Sequence, residues 1–501
     1  MLKILGSAKT LCDSITRREM LRAGGLGAFS LSLPQLLRLK SLQADESPTS
    51  LPCFGQAKRI ILLYLYGAAA QHETYDPKPE APAEIRGKFQ PIETAVPGVR
   101  ICEHLPRLAQ LADRVTFIRS MTHPYNIHSA AYTLTGVDKV DIPMEIGPFD
   151  NRHWPFFGSV LDFLAHRENP LAAPPEIPRD IALPFLFSSR SPEFTRGGPY
   201  GGFLGRAYNP VWTEFEGEAS RTVTRWRGDA DQLVADPYLG ITPESRLTVS
   251  KAAQLGPEIT LDRLSRRRGL LEQLEHERRA LDSTMAAKSL DRFSEMAYSL
   301  ITSHQLRDAL DLSQEPPARR ERYGMTLFGQ STLAARRLLE AGATLVSVFW
   351  DEFGPANTAW DTHFNHYERL KDELLPGLDQ ALTALILDLE ERGMFDDTLI
   401  MCLTEHGRTP KISNTPRGVG REHWSNVYCN LLAGGGISRG KVIGSSDRNG
   451  GFVKDDPVSP KDVLVTMYHL MGIDPHTMIA NRVGQPLPLV SGGNLLSQMI
   501  G

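Results

Sequence analysis

Five short runs of this chain are apolar at most positions rather than at every second one: RIILLYLYG (59–67), RVTFIRSM (114–121), ATLVSVFW (343–350), TLIMCLT (398–404) and VYCNLLAGGG (427–436). A strand with one wet face alternates, whereas a short, continuously apolar run belongs to a strand covered on both faces. Covering both faces takes helices, and helical patterns lie between the runs. From Tyr367 onward, Leu370, Leu374, Leu378, Leu382, Leu385 and Leu389 recur at steps of three and four on one face, with Pro376 expected to kink the helix. SPKDVLVTMYHLMG (459–472) has Ser459 as N-cap and Gly472 as stop. Buried strands alternating with amphipathic helices predict an α/β fold on a mainly parallel sheet, with all five runs parallel.

Two stretches fall outside this alternation. TRREMLRAGGLGAFSLSLPQLL places Arg17-Arg18 ahead of a Gly- and Leu-rich apolar segment, followed by LQADE around Ala44. A charged start, a modest apolar core and a small residue before a polar segment describe an export signal over residues 1–44, and the paired arginines point to the twin-arginine route. The mature chain, 45–501, is then expected in the periplasm or otherwise outside the cytoplasm. No later segment approaches the roughly 20 apolar residues of a membrane span, so no transmembrane helix is expected beyond the signal. The second stretch, 137–330, is rich in Pro, Gly and aromatics and then in charged helical pattern, and reads as an insertion or lid. A net charge of −4 with interspersed signs leaves no footprint for nucleic acid. Of the five cysteines, Cys12 falls in the signal and no CxxC pair occurs; Cys402 and Cys429 sit in apolar runs and read as core thiols.

In open α/β sheets, ligands bind beyond the carboxyl ends of the strands. The residues that follow the runs are therefore the candidates. They are His72 and Glu73; His123, Asn126, His128 and Ser129; Asp361, His363 and His366; Glu405 and His406; and His423. Seven of the fourteen histidines fall in these stretches, accompanied by carboxylates, which is the donor set expected for zinc, manganese or iron. Each has an ordinary alternative. Asp361 can cap the next helix, Glu73 can pair with Arg59 or Lys78, and His423 can pack beside Trp424. Co-occurrence at one end of a single sheet is what favours a metal centre.

The chain resembles the bacterial family known as domain of unknown function 1501 over nearly the whole mature length. The marks are ETYDPKP, CEHLPRLAQLADRVTFIRSMTH, HSAAYTLTG, RYGMTLFGQSTLAARRLLEAGATLVSV, WDTHFNHYERLKDELLPGLDQAL, EHGRTPKI, GREHWSNVY and LLAGGGISRGKVIGSSD. That family in turn is similar to the alkaline phosphatase and sulfatase superfamily. The resemblance implies a three-layer sandwich and hydrolysis of phosphate or sulfate esters at two neighbouring divalent ions, zinc, calcium, magnesium or manganese. It implies an anionic ester substrate, for instance a sulfated or phosphorylated glycan. Carried over position by position, it puts Asp361, His363 and His423 on one ion and Glu73, Glu405 and His406 on the other, with His366 as the alternative to His363. Aligning LTG at Leu134–Gly136 puts Asn126 where a sulfatase nucleophile would stand, and an amide cannot attack. No cysteine has the formylglycine context either. Ser129 is the replacement nucleophile, with Ser120 and Thr122 or a metal-activated water behind it. Arg119, His128 and Arg408 are expected to hold the substrate anion, although Arg408 can equally pair with nearby acids. The other function class compatible with Asn126 is a non-catalytic descendant that binds an anionic glycan or a partner protein.

Overall fold

The computed structural model describes residues 51–501 apart from 129, 138–146, 171, 173, 192–194, 228–229, 250–284 and 417. The signal 1–44, Ser129 and much of the charged helical stretch 259–303 therefore lie outside the described residues. Among the described residues nine strands form the central sheet. In chain order they are β1 (Arg59–Leu65), β2 (Val115–Met121), β3 (Asp180–Leu183), β4 (Val211–Glu216), β5 (Arg246–Val249), β6 (Leu345–Trp350), β7 (Thr398–Leu403), β8 (Tyr428–Ala433) and β9 (Lys441–Ile443). Their order across the sheet is β9-β2-β8-β7-β1-β6-β3-β4-β5.

All five apolar runs are strands of this sheet, and β6, β7 and β8 are buried at every position. One expectation needs correction. β8 is antiparallel to both of its neighbours, β7 and β2. Continuous burial reports two covered faces and carries no information about strand direction. At the far edge β5 is also antiparallel, to β4. The stretch 137–330, read as an insertion, contributes β3, β4 and β5 to this edge.

Helices lie on both faces. The described helices of eight residues or more are α1 (Phe157–Glu168), α2 (Met285–Thr302), α3 (Leu327–Glu340), α4 (Leu375–Glu391) and α5 (Pro460–Leu470). Tyr64 of β1 and Phe349 of β6 are in register, so they share one face, and Trp350 points to the other. The Tyr64 hydroxyl lies 2.7 Å from Thr133 Oγ1 in the short helix Ala130–Thr135, whereas Trp350 packs on Phe328 of α3 with ring centroids 4.7 Å apart. The architecture is thus helix, sheet, helix. Two helix starts follow sequence rules. Thr326 caps α3 by accepting from the Gly329 N–H, and Ser459 and Asp462 form a reciprocal capping box on α5. The leucine row of α4 and the turns before it is fully buried, each side chain contributing about 1.5–3 kcal/mol. Pro376 sits in the first turn of α4, directly after a π-helical turn at Leu370–Leu374, so the irregularity lies just upstream of the proline.

Among the described residues no helix is long and apolar enough to cross a membrane. Cys53, Cys102, Cys402 and Cys429 are free thiols.

Candidate metal centre

The carboxyl end of β1 must come close to the loop that follows β6 before any of its side chains can meet. Gly67 makes this possible. It holds φ +101°, and an added Cβ would stand 2.3 Å from the Asp361 amide nitrogen. Trp360 pins the loop, burying its ring 5.7 Å from that of Trp350 while its backbone N–H donates to the Tyr66 carbonyl at 2.7 Å. From behind, Arg369 donates to Thr358 Oγ1 at 2.7 Å, to the Asp361 carbonyl at 3.3 Å and to the Ala359 carbonyl. A second glycine admits the other side of the site. At Gly420 a Cβ would fall 1.7 Å from the His363 carbonyl, so the segment leading to His423 can lie against the loop. The helix-cap alternative for Asp361 does not hold, because the next helix begins at His366 with Asn365 in the N-cap position.

Asp361 is the hub. From its Oδ1, the Nε2 atoms of His363, His128 and His423 lie at 3.0, 3.3 and 3.6 Å. One ligand atom from each of these four residues falls within a mutual 4.8 Å, and His128, Glu405 and His406 form a second such group that shares His128. The antiparallel run of β8 is what brings His423 here, since its amino end pairs with Met121 at the carboxyl end of β2.

The histidines are oriented from outside. His128 Nδ1 lies 2.9 Å from Glu405 Oε1, and His363 Nδ1 lies 2.6 Å from Glu422 Oε2. A ring that donates one N–H to a carboxylate presents its other nitrogen as a lone pair for a metal. His406 Nδ1 lies 2.8 Å from the Gly407 carbonyl, while its Nε2 is buried with no hydrogen-bond partner among the described residues. Glu405 is fully buried and also accepts the Gly67 N–H at 2.7 Å.

The electrostatics differ from one side chain of the cluster to the next. Burial opposes protonation of His128, but Asp361 and then Glu405 outweigh it and push its pKa up to about 9. Burial likewise opposes ionisation of Asp361, yet Arg408 and His128 hold its carboxyl well below the usual carboxylate range. His406 moves the other way, driven well below an ordinary histidine by burial and then by the charge of His128 and Arg408. Imidazole nitrogens with one carboxylate oxygen are the donors of zinc or manganese sites rather than of calcium or magnesium sites, so the residues present fit a divalent transition metal.

The remaining candidates divide between the rim of the cluster and places away from it. Glu73 is not in the cluster. Its Oε1 accepts from Arg421 Nη2 at 2.5 Å and Nε at 3.1 Å, and its Oε2 lies 3.3 Å from His366 Nε2. His366, also fully buried, is tied through Nδ1 to Thr362 Oγ1 at 2.7 Å. The partners considered for Glu73 are occupied by other acids: Arg59 pairs with Asp397 and Lys78 with Asp76. Arg408 pairs with an acid, donating to Asp361 Oδ1 and the Gly67 carbonyl, and to the Ala68 carbonyl at 3.1 Å. Arg119 donates to the Arg100 carbonyl at 2.7 Å and lies 3.9 Å from Asp76. His123 contacts the Glu405 carbonyl at 2.6 Å, and His72 contacts the Asn449 carbonyl at 2.8 Å. Ser120 donates to the Asp456 carbonyl at 2.5 Å, and Asn126 is exposed. Three participants escaped the sequence reading: Arg421, Glu422 and Arg369. The first two directly precede His423 in GREHWS, and that adjacency was the available signal.

A family model described as "Protein of unknown function (DUF1501)" matches residues 57–500. No curated protein sequence matches the chain. Similar solved structures include a sulfatase from Pseudoalteromonas sp., at 13% identity and TM-score 0.36, covering 87% of this chain and 70% of that one. Another is the lipoteichoic acid synthase from Listeria monocytogenes, at 9% identity and TM-score 0.35, covering 88% and 76%. A third is a phosphonate monoester hydrolase from Silicibacter pomeroyi, at 12% identity and TM-score 0.33, covering 83% and 73%.

Proposed function

The chain belongs to the DUF1501 family, and on that premise we propose that it is an exported, metal-dependent hydrolase of phosphate or sulfate esters. The observation that carries the reading is the convergence of Asp361, His363, His423 and His128 on one point at the carboxyl end of the sheet. A bound divalent ion supplies Lewis-acid stabilisation of the charge that develops on the ester oxygens. The chain's own groups do the rest. Arg408 fixes the Asp361 carboxylate, Glu405 and Glu422 aim the His128 and His363 rings, and His406 presents an unused nitrogen beside them. Ser129, the residue after His128, is the proposed nucleophile. The substrate class is an anionic ester such as a sulfated or phosphorylated glycan, and Arg17-Arg18 supports export by the twin-arginine route.

The test is turnover of a panel of aryl phosphate, phosphodiester and aryl sulfate esters by the purified chain, before and after chelation. Hydrolysis that disappears with chelation and returns with zinc or manganese supports the reading. Bound metal without turnover of any ester replaces it with a binding protein, the alternative that Asn126 favours. Turnover that survives Ser129→Ala removes Ser129 from the mechanism.

A further inference from the structure

Two buried arginines bear directly on how many ions the centre can take. Resemblance assigns three carboxylates to two ions: Asp361 to one, Glu73 and Glu405 to the other. Arg421 is fully buried, and its guanidinium holds the Glu73 carboxylate through two nitrogens. Its remaining N–H groups donate to the carbonyls of Ile85 at 2.8 Å, Thr409 at 3.1 Å and Pro410. That cage of carbonyls leaves the guanidinium nowhere to retreat if a dication approached Glu73. Among the described residues His366 is the one imidazole in ion-pair contact with that carboxylate, and the two residues are in neither group of three or more metal-capable side chains.

Arg408 repeats the device at the other acid. It is fully buried and donates to Asp361 Oδ1 and to the carbonyls of Gly67, Ala68 and Arg421, the last at 3.2 Å. A guanidinium stays charged at any relevant pH, so it acts as a fixed monovalent cation. Of the three carboxylate charges, two are therefore balanced by the chain itself. Counting these three acids and two arginines, one dication leaves a single positive charge, suited to an anionic ester, with the half-exposed Glu422 at the rim outside the count. Two dications would leave three on the same count, the second beside the fully buried Glu73 and Glu405, where the low local dielectric penalises unbalanced charge.

We infer that the centre takes one divalent ion, held by His128, Asp361, His363 and His423, and that Arg408 and Arg421 stand where the charge of a second ion would be needed. Glu405 is then a positioning residue that orients His128, and Glu73 is a partner of Arg421 and not a ligand. The inference rests on the metal-dependent reading above but can fail separately from it.

The experiment is elemental analysis of the full chain loaded with zinc or manganese alone and dialysed, alongside Asp361→Asn and Glu73→Gln. One equivalent per chain is expected, retained in Glu73→Gln and lost in Asp361→Asn. Two equivalents, whether or not one is lost in Glu73→Gln, overturn the single-ion centre and leave the hydrolase standing. No bound metal overturns both. X-ray absorption at the zinc edge of the unsubstituted protein gives the same decision without relying on any variant to fold. A shell rich in imidazole is expected, and metal–metal scattering near about 3.5–4 Å overturns the inference.

Discussion

Within the seven residues WDTHFNH, Asp361 and His363 go to one cluster and His366 to another, and each cluster contains an acid, an imidazole and an arginine. In the first, one carboxylate oxygen is shared among Arg408 and three histidines, and the side chains of Asp361, His363 and His423 keep 23–29% of their surface exposed. In the second, Glu73, His366 and Arg421 are at most 1% exposed and satisfy one another. Composition does not separate them. The difference is the ratio of nitrogen donors to carboxylate and access to solvent. Where imidazoles outnumber the guanidinium around an open carboxylate, a ligand can enter. A guanidinium that takes the carboxylate at zero exposure closes the site.

The comparison can be broken most forcefully at Arg421. Removing it by Arg421→Ala leaves Glu73 buried and uncompensated, a change expected to cost about 3–5 kcal/mol of stability in chemical denaturation. A loss well under that range would mean the second cluster is wet or rearranges freely. The same cluster has an acid-side signature. Burial opposes ionisation of Glu73, but Arg421 and then His366 hold its pKa at about 2. Its contribution is therefore fully present above the usual glutamate value and is lost as pH falls through that value toward about 2. Glu73→Gln should flatten this part of the stability profile, read as the denaturation midpoint at a series of pH values. In the first cluster, Glu405→Gln unfixes the His128 ring and is expected to weaken zinc binding by about 10–100-fold, measured by competition with a chelator. Glu422 is half-exposed, so Glu422→Gln should fall at the mild end, about tenfold or less. Equal effects at Glu405 and Glu422 would mean that burial does not set how firmly each carboxylate holds its ring.

Much of the sheet was legible because continuous apolarity is a strong signal for a doubly covered strand. The missed strands have physical reasons. Asp180–Leu183 is four residues long and embedded in a proline-rich stretch, and VWTEFE alternates only weakly because it lies near the sheet edge. At the site, placing candidates after strand ends gathered Asp361, His363, His423, Glu405, His406 and His128 into one neighbourhood. Sequence could not foresee the fate of Glu73 and His366. An arginine in GREHWS reads as a solvated charge, and the backbone carbonyls that bury Arg421 come from residues 85, 409 and 410, distant in the chain or in spacing.

The reversed strand β8 also implies an order of events on the ribosome. It is the one strand through which β2 and β9 join β7 and the rest of the sheet, yet it comes from residues 428–433. His128 follows β2, whereas Asp361 follows β6, so the two halves of the centre belong to parts of the sheet that only this late segment splices together. Such long-range closure is slow and cannot begin until most of the polypeptide has been made. On the proposed metal-dependent reading, metal retention should therefore time-stamp completion of the chain: a nascent polypeptide released before His423 should be unable to retain zinc, however well its earlier strands have formed.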